Sequence, residues 1–196
     1  KRAFDIAFSL CVVVVGLAPI ALLLLIIRLE SPGSPIYRQE RIGYRGQPLR
    51  IFKLRTMVAD SDDVEKHLSP EQLAQWRSER KVEDDPRVTR VGRFLRRTSL
   101  DELPQFLNVL AGSMSIVGPR PVVADELPAY GTDVDAFLSM KPGITGWWQV
   151  QARNDATYED GSRQQLELYY VRNANLKLDV VVFLETFKSI INKTGV

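Results

Sequence analysis

The chain has 196 residues and a formal net charge of +2, with 26 Lys and Arg against 24 Asp and Glu. This near-neutral balance excludes a dedicated nucleic-acid-binding protein, which carries a large positive excess. One cysteine and one histidine exclude an intrachain disulfide framework and metal sites built from paired histidines. Acids, lysines and arginines therefore remain as the side chains for ionic or nucleophilic chemistry.

The first predicted element is an apolar segment, residues 6–27, which contains no charged residue. A helix of this length measures about 33 Å and can cross a bilayer core. Pro19 lies inside the segment, and an interior proline kinks or breaks a helix. Lys1, Arg2 and Arg28 place positive charge at both ends, as in a hairpin whose two ends are cytoplasmic. A spanning helix and a re-entrant helix that breaks at Pro19 are both compatible with these residues.

A hairpin is predicted after the turn-rich residues 31–35. Residues 36–41 and 49–55 form two extended segments joined by a long loop. Because side chains alternate along a strand, Lys53 and Arg55 are predicted to point to one face. That face is either solvated or turned toward a phosphate.

An arginine row follows, in which Arg87, Arg90, Arg93 and Arg96 recur at a spacing of three. In a helix this spacing predicts one basic face. Two interpretations stay open, a solvated surface or a surface that binds the phosphates of a lipid or a nucleotide.

A helix is predicted over residues 98–111, and two adjacent acids lie near its start. Ser99 with Glu102 fits a capping box, whereas Pro104 favours a later start with Asp101 as the N-cap. Either arrangement leaves two carboxylates at the positive end of a helix. They are therefore either simple caps or the place of an aspartate that attacks phosphorus or binds a divalent metal.

The segment with Arg120 is predicted to be rigid because Pro119 and Pro121 flank the arginine. A restricted backbone presents a guanidinium to phosphate with little loss of entropy, although a turn with a surface ion pair fits equally. Beyond it, the patterns predict helices over residues 125–140, 163–171 and 179–192 and a short strand over residues 147–152. Helices mixed irregularly with short strands predict an α+β fold with amphipathic interfacial helices.

Five segments stand in a fixed order behind the apolar segment: residues 52–57, 84–89, 98–105, 114–121 and 141–146. Together they resemble the bacterial sugar transferases, the monotopic phosphoglycosyl transferases, over essentially the whole chain. The resemblance implies transfer of a sugar 1-phosphate from a UDP-sugar to polyprenyl (undecaprenyl) phosphate, with release of UMP. This reaction starts the assembly of surface glycans such as exopolysaccharide, O-antigen or capsule.

The resemblance also implies roles for individual residues. It implies a covalent sugar-phosphoryl intermediate on Asp101, with Glu102 completing a catalytic dyad and Mg²⁺ against the Asp101 carboxylate and the diphosphate. The residues implied to bind substrate or phosphate are Lys53, Arg55, Arg96, Arg120 and Pro121.

A topology follows from the same resemblance. It implies a re-entrant membrane helix over residues 1–30 that breaks at Pro19, and a cytosolic catalytic domain over residues 31–196. The expected location is the cytoplasmic face of the bacterial inner membrane, with a homodimer left open. Arg153-Asn154-Asp155 and Tyr158 resemble the branch that uses glucose or galactose. A membrane-anchored scaffold without activity and an interfacial phosphohydrolase are the alternative functions.

Overall fold

The structure is a computed structural model that describes residues 1–79, 82, 84–152 and 161–191. Helices dominate the described residues, and four short strands form two separate two-stranded sheets. The predicted α+β class is therefore confirmed.

Helix α1, Arg2–Glu30, contains the apolar segment. Among the described residues it is the one helix that is long and apolar enough to cross a membrane. Pro19 lies inside this helix, and the predicted break at this residue is not confirmed. A proline removes one backbone hydrogen bond, and the remaining bonds on both sides of it keep the helix intact.

Both ends of α1 rest on the rest of the protein. Near the first end, the Asp5 carboxylate accepts hydrogen bonds from the Ser115 hydroxyl at 2.9 Å and the Ile116 N–H at 3.1 Å. At the other end, the Arg55 guanidinium donates to the Ser31 carbonyl at 2.7 Å. The two ends are therefore fixed to the same body of the protein, while most side chains between them are partly or fully exposed.

The predicted hairpin is present. Strand β1, Ile36–Ile42, pairs antiparallel with strand β2, Pro48–Leu54. Leu49 and Ile51 alternate along β2 and are buried in the main core, as the period-two pattern of a half-buried strand requires.

Helices α2, Val64–His67, and α3, Pro70–Glu79, follow, and then α4, Arg90–Thr98. Helix α4 lies directly against the chain that leaves β2. A Cβ built on Gly92 would lie 1.9 Å from the Thr56 carbonyl oxygen, so only glycine permits this approach. The contact places α4 beside the end of the hairpin.

The predicted helix over residues 98–111 is divided. Ser99 takes the left-handed conformation with φ of 56°, a 3-10 turn covers Leu100–Glu102, and helix α5 spans Gln105–Ala111. Both capping interpretations are wrong, because Pro104 occupies the N-cap position of α5 and no side chain caps this helix. Since an interior proline would clash with the preceding turn, the helix begins only after Pro104.

A parallel pair of short strands was not predicted. Strand β3, Ser115–Val117, pairs with β4, Gly143–Thr145. A Cβ on Gly143 would lie 2.2 Å from the Gly118 nitrogen. The pairing therefore depends on two glycines that meet across a long separation in sequence.

The prediction of a strand over residues 147–152 is wrong, because these residues form a helix, α7. The Gly146 carbonyl accepts the N–H groups of Gln149 and Val150, which starts a helix here. The other elements of this half are a 3-10 segment, Ala124–Asp133, and helices α6, Val134–Leu138, α7, Trp147–Ala152, α8, Ser162–Asn173, and α9, Leu176–Ile191.

Large apolar side chains remain exposed on a few elements of the described structure. On α1 and α9 they include Leu10, Val14, Leu22, Val180, Leu184 and Phe187, and Phe94 on α4 and Leu107 on α5 add to them. Most of these side chains lie on α1 and α9, and an exposed apolar surface on these helices is suited to contact with a membrane.

Candidate active site

The 3-10 turn that follows Ser99 brings the two predicted carboxylates against the hairpin. Lys53, the residue before the last in β2, donates from Nζ to Glu102 Oε1 at 3.1 Å. Asp101 precedes Glu102 in the same turn and is partly buried. Lys53, Asp101 and Glu102, which lie in two different sequence motifs, therefore share one site.

Asp101 has the most perturbed carboxyl of this site. Desolvation, and after it the adjacent charge of Glu102, raise the pKa of Asp101 to about 6. The positive charges of Lys53 and Arg96 act in the opposite direction. A carboxylate with a raised proton affinity that is still ionised at neutral pH is suited to attack an electrophile.

Arg96 is the second cation near Asp101. Its Nε donates to the Thr56 hydroxyl at 3.0 Å, which turns the guanidinium inward from α4. Burial lowers the pKa of Arg96, and the charge of Asp101 opposes this effect. Thr56 was not predicted as a site residue, although it lies in the same motif as Lys53.

The arginine row does not form one surface. Arg87 precedes α4 and is buried, where it donates to both carboxylate oxygens of Asp85, at 2.6 Å from Nη2 and 2.9 Å from Nε. Desolvation raises the pKa of Asp85, but the hydrogen bonds from Arg87 outweigh it and the pKa is lowered. The exposed arginines of this segment are Arg90, Arg93 and Arg97.

Arg55 is placed away from the carboxylates that it was predicted to accompany. Its buried guanidinium donates to the carbonyls of Ser31 and Pro32, at 2.7 and 2.6 Å. Since β2 ends before Arg55, this residue and Lys53 do not share a strand face. These donors hold the end of α1, and binding of phosphate by Arg55 stays a prediction.

Arg120 lies in a second cluster. Its backbone N–H donates to the Glu167 carboxylate at 3.1 Å, and its guanidinium lies 5.8 Å from the Trp148 ring centroid. Arg163 stacks on the same ring at 4.1 Å. Pro121 is buried, so it fixes the backbone of Arg120 and offers no exposed surface to a substrate.

Glu167 was not predicted, because no motif surrounds it in the polar sequence of α8. Its side chain is fully buried, and desolvation raises its pKa to about 7. The Arg120 N–H and the charges of Arg163 and Arg120 lower it in part. The Glu167 carboxyl therefore holds the backbone of Arg120 through a hydrogen bond. Its ionised form costs desolvation free energy, because the side chain is buried.

We expect Glu167 to make stability depend on pH. The unfolded chain ionises this carboxyl first, so the free energy of unfolding falls as pH rises from about 4.5 to about 7. Glu167→Gln keeps an acceptor for the Arg120 N–H and cannot ionise. The Tm of the variant minus that of the unmodified protein should therefore increase across this window in thermal unfolding.

The matched control is Glu40→Gln, because the side chain of Glu40 is 87% exposed. Its Tm difference should stay constant with pH. A constant difference for Glu167→Gln as well would contradict the expectation.

Comparison with known proteins decides the family of this site. The family model described as "Bacterial sugar transferase" matches residues 1–193. The chain belongs to the bacterial sugar transferase family. It is 42% identical to the undecaprenyl-phosphate galactose phosphotransferase of Salmonella typhimurium and 38% identical to the UDP-glucose:undecaprenyl-phosphate glucose-1-phosphate transferase of Escherichia coli. It is 41% identical to the exopolysaccharide production protein ExoY of Sinorhizobium fredii.

All three alignments cover 100% of this sugar transferase chain, but they cover different shares of the relatives. The chain spans 41% of the Salmonella and Escherichia proteins and 87% of the Sinorhizobium protein. The matched region therefore corresponds to part of the longer relatives and to most of the shorter one.

The two carboxylates of this sugar transferase, Asp101 and Glu102, suit a metal ion whose other ligands come from the substrate. No group of three or more potential ligands from His, Cys, Asp and Glu occurs in the part of the chain that the structure describes. Mg²⁺ is commonly held by one or two carboxylates together with the phosphates of a substrate. Asp101 and Glu102 supply that number of carboxylates, and the negative charge that raises the pKa of Asp101 suits a cation.

The residues that resemble the glucose- or galactose-using branch, Arg153-Asn154-Asp155 and Tyr158, lie outside the described residues. The described structure therefore gives no contact for this prediction.

Proposed function

We propose that this sugar transferase moves a hexose 1-phosphate, from UDP-glucose or UDP-galactose, to undecaprenyl phosphate and releases UMP. The observation that carries the proposal is the desolvated Asp101 beside Glu102, with Lys53 and Arg96 as fixed cations. The relatives whose names state a galactose or glucose 1-phosphate transfer to undecaprenyl phosphate support it. The product would be the first lipid-linked sugar of a surface polysaccharide.

The proposed chemistry has two steps. A carboxylate oxygen of Asp101 attacks the phosphorus that carries the sugar, and the bond to UMP breaks with its electron pair on UMP. An oxygen of the acceptor phosphate then attacks the same phosphorus and releases Asp101. Both steps bring negative groups together, and Lys53 and Arg96 offset this repulsion from fixed positions.

Asp101 and Glu102 are the proposed ligands of Mg²⁺. When bound, this ion supplies a positive charge that neutralises the oxygens of the diphosphate. Glu102 is oriented by Lys53 at 3.1 Å, so its carboxylate is held in place before substrate arrives. Arg120, framed by two prolines, is proposed to hold the phosphate or uridine end of the donor.

A re-entrant arrangement of α1 at the cytoplasmic face of the inner membrane is part of the proposal. It divides the chain into a membrane segment over residues 1–30 and a catalytic domain over residues 31–196. The contacts of Asp5 and of Ser31 with the same body of the protein support it, because a helix that crossed the bilayer would separate them.

We expect both ends of α1 to be accessible from the same side of the membrane. In a variant with Cys11→Ser, single cysteines at Lys1 and Ser34 should react with a membrane-impermeant maleimide only in inverted vesicles. Val15→Cys is the control, since its side chain faces outward from α1 and should be protected in lipid from both sides. Labelling of the two ends from opposite sides would contradict the arrangement.

The experiment that tests the reaction is a measurement of UMP release by the purified protein with Mg²⁺ and a series of UDP-sugars. With undecaprenyl phosphate present, we expect turnover and a lipid-linked sugar phosphate. Without the acceptor, release should stop after one UMP per enzyme. Absence of release with every UDP-hexose would overturn the proposal, and equally fast release without acceptor would indicate a phosphohydrolase.

A further inference from the structure

An apolar cavity of about 240 Å³ lies between α1, α5, α7 and α9. Its walls are mostly aromatic and aliphatic, and their principal members are Phe8, Val12, Phe106, Ile144, Phe183 and Phe187. An apolar cavity of about 150 Å³ is known to take up benzene. This space is therefore large enough for a hydrocarbon segment of more than six carbons.

One edge of the cavity is formed by the candidate active site. Glu102 and Ser99 line it together with Phe106. Glu102 is held there by Lys53, and Asp101 is the preceding residue of the turn. A molecule in the cavity can therefore place a polar end at the carboxylates and the cations.

Three polar side chains that line the cavity, Thr145, Gln149 and Thr186, have hydrogen-bond partners within the protein. The hydroxyls of Thr145 and Thr186 share a hydrogen bond of 2.7 Å, and the Gln149 side-chain amide donates to the Ile144 carbonyl at 3.5 Å. These pairings leave a largely hydrocarbon surface toward the cavity. Such a surface favours an apolar occupant over a nucleoside or a sugar.

The cavity walls continue onto the exposed apolar surface of the protein. Phe187 lines the cavity and is 43% exposed, and Leu184 on the same helix is 55% exposed. On α1, Val12 lines the cavity while Val14 faces outward. An apolar chain can therefore pass from the membrane-facing surface into the cavity without leaving a hydrocarbon environment.

We propose that this cavity binds the isoprenoid segment next to the phosphate of the lipid acceptor. The inference rests on the proposed function, because it assumes a polyprenyl phosphate as acceptor. The isoprenoid units lie among the phenylalanines of α1, α5 and α9, and the phosphate lies toward Lys53 and Arg96, which carry the complementary charge. The cavity thereby directs the acceptor phosphate to Asp101 and distinguishes an isoprenoid from a free phosphate.

The first test fills the cavity from the membrane helix. Val12→Phe adds a ring into the space, and Val14→Phe adds the same ring on the outward face of α1. We expect Val12→Phe to raise the KM for a long-chain polyprenyl phosphate about tenfold or more, while Val14→Phe leaves it unchanged. The single UMP released without acceptor should be the same in both variants. An unchanged KM for Val12→Phe, or an equal loss of acceptor-free UMP release, would overturn the proposal.

The second test does not need turnover and so separates this inference from the proposed function. The full chain in phosphatidylethanolamine nanodiscs is photolabelled with a diazirine-bearing farnesyl phosphate. We expect label on peptides that contain Val12 and Phe187, competition by unlabelled polyprenyl phosphate and weaker labelling of Val12→Phe. Equal competition by phosphatidylglycerol would show that the cavity holds ordinary bilayer lipid, and label confined to other peptides would place the isoprenoid elsewhere. Either result would overturn the inference, even if UMP release proceeds as proposed.

Discussion

Asp101→Asn is expected to abolish the release of UMP from a UDP-hexose, with a fall in turnover of about a thousandfold or more. The amide nitrogen and oxygen of asparagine are poor nucleophiles, so no covalent sugar-phosphoryl enzyme forms. The measurement is UMP release with Mg²⁺ and undecaprenyl phosphate, together with the mass of the protein after mixing with the UDP-sugar alone. Near-normal turnover of the variant would contradict a covalent role for Asp101.

The same variant should fold at least as well as the unmodified protein. Since the pKa of Asp101 is raised to about 6, the folded state disfavours the ionised form, and stability falls as pH rises from about 3.8 to about 6. Asparagine has nearly the same shape and cannot ionise, so the Tm at neutral pH should not decrease. Asp125→Asn changes an exposed aspartate in the same way and should retain both activity and Tm. A marked fall in the Tm of Asp101→Asn would mean that lost activity reports lost structure.

The parts of the fold that the sequence predicts well depend on local patterns. The uncharged residues 6–27 specify α1, and the alternating residues of β2 specify the hairpin, because each pattern repeats over neighbouring residues. The parallel pairing of β3 with β4 joins segments that are far apart in sequence. No local pattern carries that pairing, and the glycines that permit it are typical of turns as well.

The residues of the candidate site likewise include some whose proximity the sequence predicts and some whose partners only the packing determines. Asp101 and Glu102 are adjacent, so their proximity is certain from the sequence alone. The sequence does not show which cation contacts these carboxylates. Lys53 and Arg55 lie only two residues apart, but they have different partners. Lys53 bonds to Glu102, whereas Arg55 is occupied by carbonyls at the end of α1. The packing of α1 on the hairpin determines this difference.

The buried ion pair between Arg87 and Asp85 is expected to have a large effect on stability. Arg87 and Asp85 form an ion pair at 2.6 Å in which both side chains are only 7% exposed. Asp85→Asn leaves a buried guanidinium without its counter-charge and should lower the free energy of unfolding by about 3–5 kcal/mol. The double variant Asp85→Leu with Arg87→Met removes both charges and should lose much less. Urea unfolding of the single and double variants measures the difference.

Asp133→Asn is the matched control, because Asp133 pairs with Arg172 at the same distance of 2.6 Å but with side chains 38% and 59% exposed. In water this pair is screened, and the variant should lose about 0–1 kcal/mol. Equal losses for Asp85→Asn and Asp133→Asn would show that the buried pair has no special weight. A large loss at Asp85 alone shows that burial, and not the distance between the charged atoms, gives the pair its effect.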